Sequence, residues 1–491
     1  MHSDNAGIFH GALFLASALL TACGGGGVAS PNATTSAAAT TVVTSAGTDF
    51  YLTLPDHLCV SSPASCNNTP VTNKMIVAAA TATTGNVTFN GLTTSFSVAA
   101  GSETVITLDP AVVLTANETV EAKGIHVTAL APVSVHVVSE NATSADGYLA
   151  LPTAGLGTNY YVMSYASSRY AGSEFAVVAT QNGTTVTITP TAAGATKVAG
   201  TAFTVSLNAG ETYQLQNPAY ADMTGTLVTS DKPVGVFSGH RCVDIPSGVG
   251  YCDYLVEQLT DINLWGKTFH TSPFSGRARY TVRIIASQNG TTFTTVPSGL
   301  VSKLNAGQFA DVVLTGTGEF VSNNPVLVAQ FMRGYADDAA AKGDPSMVLI
   351  TPAEMGMTDA TFGVYGLTGT AGAYMNVVTE TASLAALKLD SVAVNTALFT
   401  PIGGASIYSV GTIPVTAGVH ALSGTAVFSA IVYDYGISWD AVSYAYPVAA
   451  TLSLPVVTPA PTPTPTGCGD QQDDEGHSGD QDTEEQHSGD Q

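Results

Sequence analysis

A chain of 491 residues with 37 Asp and Glu against 14 Lys and Arg has a formal charge of -23, and that length exceeds what one hydrophobic core organises, so several domains or a repeat array are expected. Its few, scattered basic residues exclude nucleic acid or an anionic membrane surface as an electrostatic partner, because phosphate recognition needs clustered Lys and Arg. Only 10% of the residues are charged, and the dominance of Thr, Val, Ala, Gly and Ser favours strands and turns over long helices.

The chain opens on an apolar run, Ile8 to Leu20, too short for a membrane span and of the length of a signal-peptide core. It ends in Leu20, Thr21, Ala22 and Cys23, which resembles a bacterial lipobox. Residues 1–22 then read as a lipoprotein-type signal peptide, Cys23 as the acylated new N-terminus, and 23–47, beginning with Gly24 to Gly27, as a flexible tether. Met1 to Gly7 departs from that pattern in containing no Lys or Arg. The expected location is the bacterial outer membrane or cell surface, with the membrane reached by the lipid anchor only; the alternative is an ordinary cleaved signal on a secreted chain.

From residue 48 to 448 the chain repeats. Ala179–Pro190 (ATQNGTTVTITP) and Ala286–Pro297 (ASQNGTTFTTVP) nearly superimpose, followed by LNAGETY and LNAGQF, then by SDKPVGVF and SNNPVLVA. Fainter copies precede and follow, and the equivalent points Pro132, Pro233, Pro325 and Ala426 lie about a hundred residues apart. The repeats predict an all-β fold of four units, 48–145, 146–250, 251–343 and 344–448, the last with a closing strand. Each unit is expected to be β-sandwich-like, with a closed ring or propeller-like array as the alternative. Each opens on a similar strand: Asp49 to Leu52, Asp146 to Leu149, Asp253 to Leu255 and Asp344 to Met347, with an orphan fifth copy at Asp440–Pro447. Pro132, Pro233 and Pro325 are expected to mark strand entries, since Pro donates no ladder hydrogen bond. Asn182-Gly183 and Asn289-Gly290 supply turns.

Leaving Cys23 and the tail residue Cys468 aside, the cysteines form two local pairs, Cys59 with Cys66 and Cys242 with Cys252. In an exported chain these read as disulfides. A metal site using His240, Cys242 and Cys252 is disfavoured, because zinc sites bring cysteines closer in sequence and need a fourth ligand. The exit of the second unit, His240, Arg241 and Asp244, and the matching Arg333 and Asp337 of the third, have two readings. They form a binding rim in which Arg offers a planar donor, or a junction in which each Arg pairs with the Asp opening the next unit. Trp265 and Trp439 read as core or junction aromatics. No serine-hydrolase elbow, zinc helix, phosphate loop or dinucleotide fingerprint occurs, so no catalytic residue, metal or cofactor is assigned. Beyond the body, 449–466 is a Pro/Thr-rich linker of polyproline type and 467–491 an acidic tail expected to be disordered. Nine carboxylates follow Gly469 with no Lys or Arg, so the rest of the chain has a charge of -14.

Read as written, the block from Ser230 to Arg277 (SDKPVGVFSGHRCVDIPSGVGYCDYLVEQLTDINLWGKTFHTSPFSGR) resembles the signature of the IgG Fc-binding protein N-terminal domain family. That resemblance covers most of Tyr148 to Tyr446. It implies a secreted, non-enzymatic binding or adhesive module with Fc-like binding, and the expected partner is an extracellular glycoprotein or glycan. A structural surface component that self-associates is the alternative.

Overall fold

The structure is a computed structural model that describes residues 42–453 except 297, 298, 300, 338, 371 and 438–441. The segments expected to be a signal peptide and most of the tether, with Cys23, as well as Trp439, Cys468, the linker beyond Ser453 and the acidic tail, lie outside the described residues.

Four pairs of consecutive strands organise the body. They are β1 (Ile125–Glu140) with β2 (Ala145–Leu149), β3 (Leu227–Val243) with β4 (Asp253–Gln258), β5 (Gly318–Met332) with β6 (Ser346–Leu349), and β7 (Gly418–Tyr435) with β8 (Ser443–Pro447). Each long strand has different partners along its two halves. In the second unit, Leu227–Ser230 of β3 pairs with 159–161 and 186–189, whereas Val234–His240 pairs with Ser173–Ala179 and, from Phe237, with β4. The same plan recurs in all four units, giving antiparallel sheets of seven or eight strands folded into sandwich-like units around a shared bent strand. The fold is all-β, as the composition and repeats predict.

The prolines sit elsewhere than expected. Pro132, Pro233 and Pro325 lie inside β1, β3 and β5 rather than at their starts. They mark where the long strand passes from one set of partners to the other, and the pairing registers break there, between Thr229 and Val234 in β3. A residue without an N–H costs least where the ladder is already interrupted. The Asn-Gly turns behave alike in both middle repeats. Gly183 and Gly290 adopt φ 63° and 71°, and Asn182 and Asn289 accept the N–H of Ala209 and Ala306, each at 3.1 Å. The recurrent QNG and NAG segments are therefore two turns bonded to each other through their asparagines.

The strands read as unit openings hydrogen-bond backwards. β2 pairs with β1, β4 with β3, β6 with β5 and β8 with β7, so each closes the sheet that precedes it. Asp49–Leu52 is not their equivalent, because it pairs with the first half of β1. The orphan copy is simply the fourth closing strand.

β2, β4, β6 and β8 lie together at the centre of the body, every described residue of them buried. Each has one edge paired and one edge bare, and a bare buried edge carries unsatisfied N–H groups. Side chains of the neighbouring inner strands satisfy them. The Asp146 carboxylate on β2 accepts N–H groups from all three others: Val256 of β4 at 3.2 Å, Met347 of β6 at 3.1 Å and Ala445 of β8 at 3.4 Å. Asp253 accepts the Ala145 N–H at 2.8 Å, and Glu257 accepts that of Leu349 at 3.0 Å. Burial raises the pKa of Asp146, Asp253, Glu257 and Asp344 well above the usual carboxylate range.

The four units close on themselves. The fourth packs on the first, where the His136 ring lies 4.4 Å from that of Tyr446 and Tyr365 donates to Glu140. The Ser45 N–H reaches Ala450 O at 2.8 Å, and that of Leu452 reaches Val43 O at 2.7 Å. Closure comes from this packing and terminal pairing, not from the last strand completing the first unit.

Candidate functional site

Both cysteine pairs are disulfides, Cys59–Cys66 and Cys242–Cys252, with Cα atoms 5.3 and 5.1 Å apart. A histidine two residues before the first cysteine anchors each loop: His57 Nδ1 accepts the Cys59 N–H at 3.1 Å, and His240 Nδ1 that of Cys242 at 3.0 Å. Both rings are buried, and desolvation, assisted by the adjacent Arg241, lowers their pKa values to about 3. They are neutral acceptors, and this His-x-Cys repetition was visible in the sequence as Asp56-His57-Leu58-Cys59 and Gly239-His240-Arg241-Cys242.

Arg241 joins the two loops. Its Nε lies 2.6 Å from Asp56 Oδ2, and its guanidinium donates to Ser61. Asp56 belongs to the first unit, so Arg241 reaches back one unit rather than forward to the Asp that follows it. Behind this pair Gln216 donates to Asp56 at 3.2 Å and to Glu174 at 2.7 Å. Burial drives the Glu174 pKa well up, with the Asp56 charge adding to the rise.

Arg333 pairs within its own unit, to Asp337 at 2.6 Å, and Arg279 shares the same carboxylate at 2.9 Å. The two arginines hold the Asp337 pKa below the usual carboxylate range against a desolvation that acts the other way. Neither Arg241 nor Arg333 pairs with the Asp expected from the junction reading. Asp344, the nearest such candidate to Arg333, instead accepts the Tyr335 N–H at 3.4 Å. Asp244 is buried and accepts from the Ser167 hydroxyl and the Gly248 N–H. Ser238, two residues from His240, donates to Met163 O at 2.5 Å. Trp265 is in the core, its Nε1 donating to Thr260 O at 3.2 Å. Among the described residues no group of three His, Cys, Asp or Glu is arranged to hold a metal ion.

What these contacts build is a cavity of about 620 Å3 lined by both disulfides, by Ser65, Thr143, Arg169, Tyr170 and Tyr251, and by Asp344. Tyr251 is 48% exposed and sits at φ 70°, a conformation that a bulky side chain adopts only where its surroundings impose it. The Tyr335 ring packs edge-on to it at 5.6 Å. The sequence points to His240 and Arg241 in this region, and no motif there marks Arg169, Tyr170 or Tyr251. The cysteine neighbourhood braces the site and itself supplies Tyr251, while Arg169 and Tyr170 come from an earlier loop of the same unit, tied to the disulfide loop through Ser168 and Ser247.

No helix among the described residues is long and apolar enough to cross a membrane. A human IgGFc-binding protein is 27% identical over 275 residues, 54% of this chain but 5% of that protein's length. The Ca2+-stabilised adhesin with which an Antarctic bacterium binds ice aligns with 14% identity and a TM-score of 0.12, over 83% of this chain and 98% of that one. A second bacterial ice-binding adhesin aligns with 11% identity and a TM-score of 0.11, over 61% and 93%. Likenesses at that level carry no argument. The IgGFc binding protein family model matches residues 146–433, from the central Asp146 to the last residues of β7, and the family takes its name from binding, not from catalysis. With that match spanning more than half of its length, the chain belongs to the IgGFc-binding protein family.

Proposed function

We propose that the body is a non-enzymatic binding module displayed outside the cytoplasm, taking a glycoprotein partner at the disulfide-braced end in an adhesion-type role. The observation that carries this reading is the cavity between two covalently closed loops, with Tyr251 held out on left-handed backbone. Rigid loops presenting an exposed aromatic bind at low entropic cost. Family membership points the same way, and immunoglobulin G Fc is the first partner to try, because the human relative is named for it. The disulfides suit an oxidising compartment, and a lipidated Cys23 would supply the anchor at the outer membrane or cell surface.

The test immobilises the purified full chain and presents immunoglobulin G and serum glycoproteins, with Tyr251→Ala alongside. Capture of a partner that is lost in Tyr251→Ala at an unchanged unfolding midpoint is the expected result. Capture indifferent to Tyr251 moves the site elsewhere. No capture, together with concentration-dependent oligomers, replaces the binder with a self-associating surface component.

A further inference from the structure

We infer that the cavity recognises a carboxylate-bearing sugar, sialic or uronic acid, at the end of a glycan, with Arg169 as its anion anchor. This rests on the disulfide-braced end being the binding site and adds the chemistry of its ligand.

The chain has six arginines, and five are already engaged. Arg241, Arg279, Arg283 and Arg333 face carboxylates at 2.6 to 2.9 Å, and Arg277 donates to the carbonyls of Arg333 and Gly334 at 2.8 and 3.1 Å. Arg169 is the exception: among the described residues its guanidinium has no carboxylate or carbonyl acceptor, and its neighbour is the Tyr170 ring at 5.9 Å. In a body with a large excess of carboxylates, an unclaimed guanidinium at the mouth of a cavity is a donor kept for something else. Its planar fork matches a carboxylate with two parallel hydrogen bonds.

The backbone beneath Arg169 is pinned. The Ser167 hydroxyl oxygen accepts the N–H groups of Arg169 and Tyr170, each at 3.0 Å, while the hydroxyl donates to Asp244. The Ser168 N–H reaches Ser247 Oγ, inside the disulfide loop, at 2.7 Å. The turn carrying the cation is thus held to the disulfide loop before any ligand arrives, which spares the ordering cost of binding.

The rest of the lining suits a sugar better than a peptide. Tyr170 and Tyr251 offer aromatic faces for apolar C–H surfaces, Ser65 and Thr143 offer hydroxyls, and Leu58 is the one aliphatic side chain of the lining. Asp344 is the one lining carboxyl. It is buried, accepts the Tyr335 N–H at 3.4 Å, and burial raises its pKa well above the usual range, which disfavours its charged form. The volume fits one or two sugar rings.

Titration of the full chain by saturation-transfer NMR uses sialyllactose, its methyl ester and lactose, with Arg169→Gln and Tyr251→Ala as variants. Sialyllactose is expected to bind with a dissociation constant on the order of 1 mM. Lactose and the ester should bind at least about tenfold more weakly, and Arg169→Gln should weaken sialyllactose by about tenfold. The unfolding midpoint of Arg169→Gln should not move, because no ion pair is lost. Equal binding of lactose and sialyllactose, undiminished binding in Arg169→Gln, or no binding at all overturns the inference. If glycoprotein capture is still lost in Tyr251→Ala, only the sugar assignment falls; if capture is absent too, the binding site itself is wrong.

Discussion

At the scale of single residues, the polar groups that matter most are buried ones with several partners. Arg283 is the clearest brace between the second and third units, paired to Asp222 and Asp311 at 2.7 Å each and lying 4.4 and 4.1 Å from the Tyr165 and Phe309 rings. Removing one partner of a buried pair leaves charge uncompensated. Arg283→Ala should lower stability by about 3 kcal/mol, at the low end for buried pairs because Asp311 is partly exposed; a fall in the urea midpoint at constant slope checks it. The neutral histidines give a pH signature. His57 and His240 are depressed to about 3 when folded, so their stabilising contribution is complete above the unfolded value near 6.5 and is lost as pH falls towards 3. His240→Asn should flatten the decline between pH 6 and 4 by about 1.4 kcal/mol per pH unit, one proton's worth, read from unfolding free energies across that range.

At the scale of elements, the disulfide loops and the inner strands make separate contributions. Each disulfide closes a short loop, and Cys242→Ser with Cys252→Ser should cost about 2 to 3 kcal/mol, measured as a lower denaturation midpoint that reducing agent imposes on the unmutated chain as well. The inner strands respond to pH in the opposite sense from the histidines. The Asp253 pKa is raised when folded, so folding is least penalised below the unfolded carboxyl value near 4 and loses stability as pH rises above it. Asp253 Oδ1 accepts from Ser144 and Ala145 while Oδ2 is buried without a partner. Asp253→Asn keeps the acceptor and removes the ionisable group. It should stabilise the protein relative to the unmutated chain at pH 8 and lose that advantage by pH 4; thermal midpoints at the two values decide, and a constant difference would defeat the assignment.

At the scale of the whole molecule, cyclic closure couples units that an open array would couple only to neighbours. Asp146 contacts the inner strands of all three other units, so the body should unfold in one cooperative step by calorimetry rather than unit by unit. Leu452, buried beside the Val43 pairing, closes the ring; Leu452→Ala should cost about 2 to 5 kcal/mol and lower that single transition, whereas a separate early transition would show that closure is dispensable.

The all-β class, the repeat and its turn chemistry, both disulfides and the family were legible in the sequence. These depend on local information: alternation with a period of two, Gly at left-handed turn positions, cysteines ten residues apart or fewer, and a contiguous signature block. What only the tertiary structure decided is who meets whom. The recurring Asp of the inner strands looked like a mark of unit openings, yet Asp146 and Asp253 serve bare strand edges of other units. Arg241 looked like a rim donor or a link to the next Asp, yet its partner, Asp56, lies far back in the first unit. Hydrogen-bond partners across a closed ring are set by long-range packing, and neither the spacing nor the type of a residue encodes which distant strand will lack an acceptor.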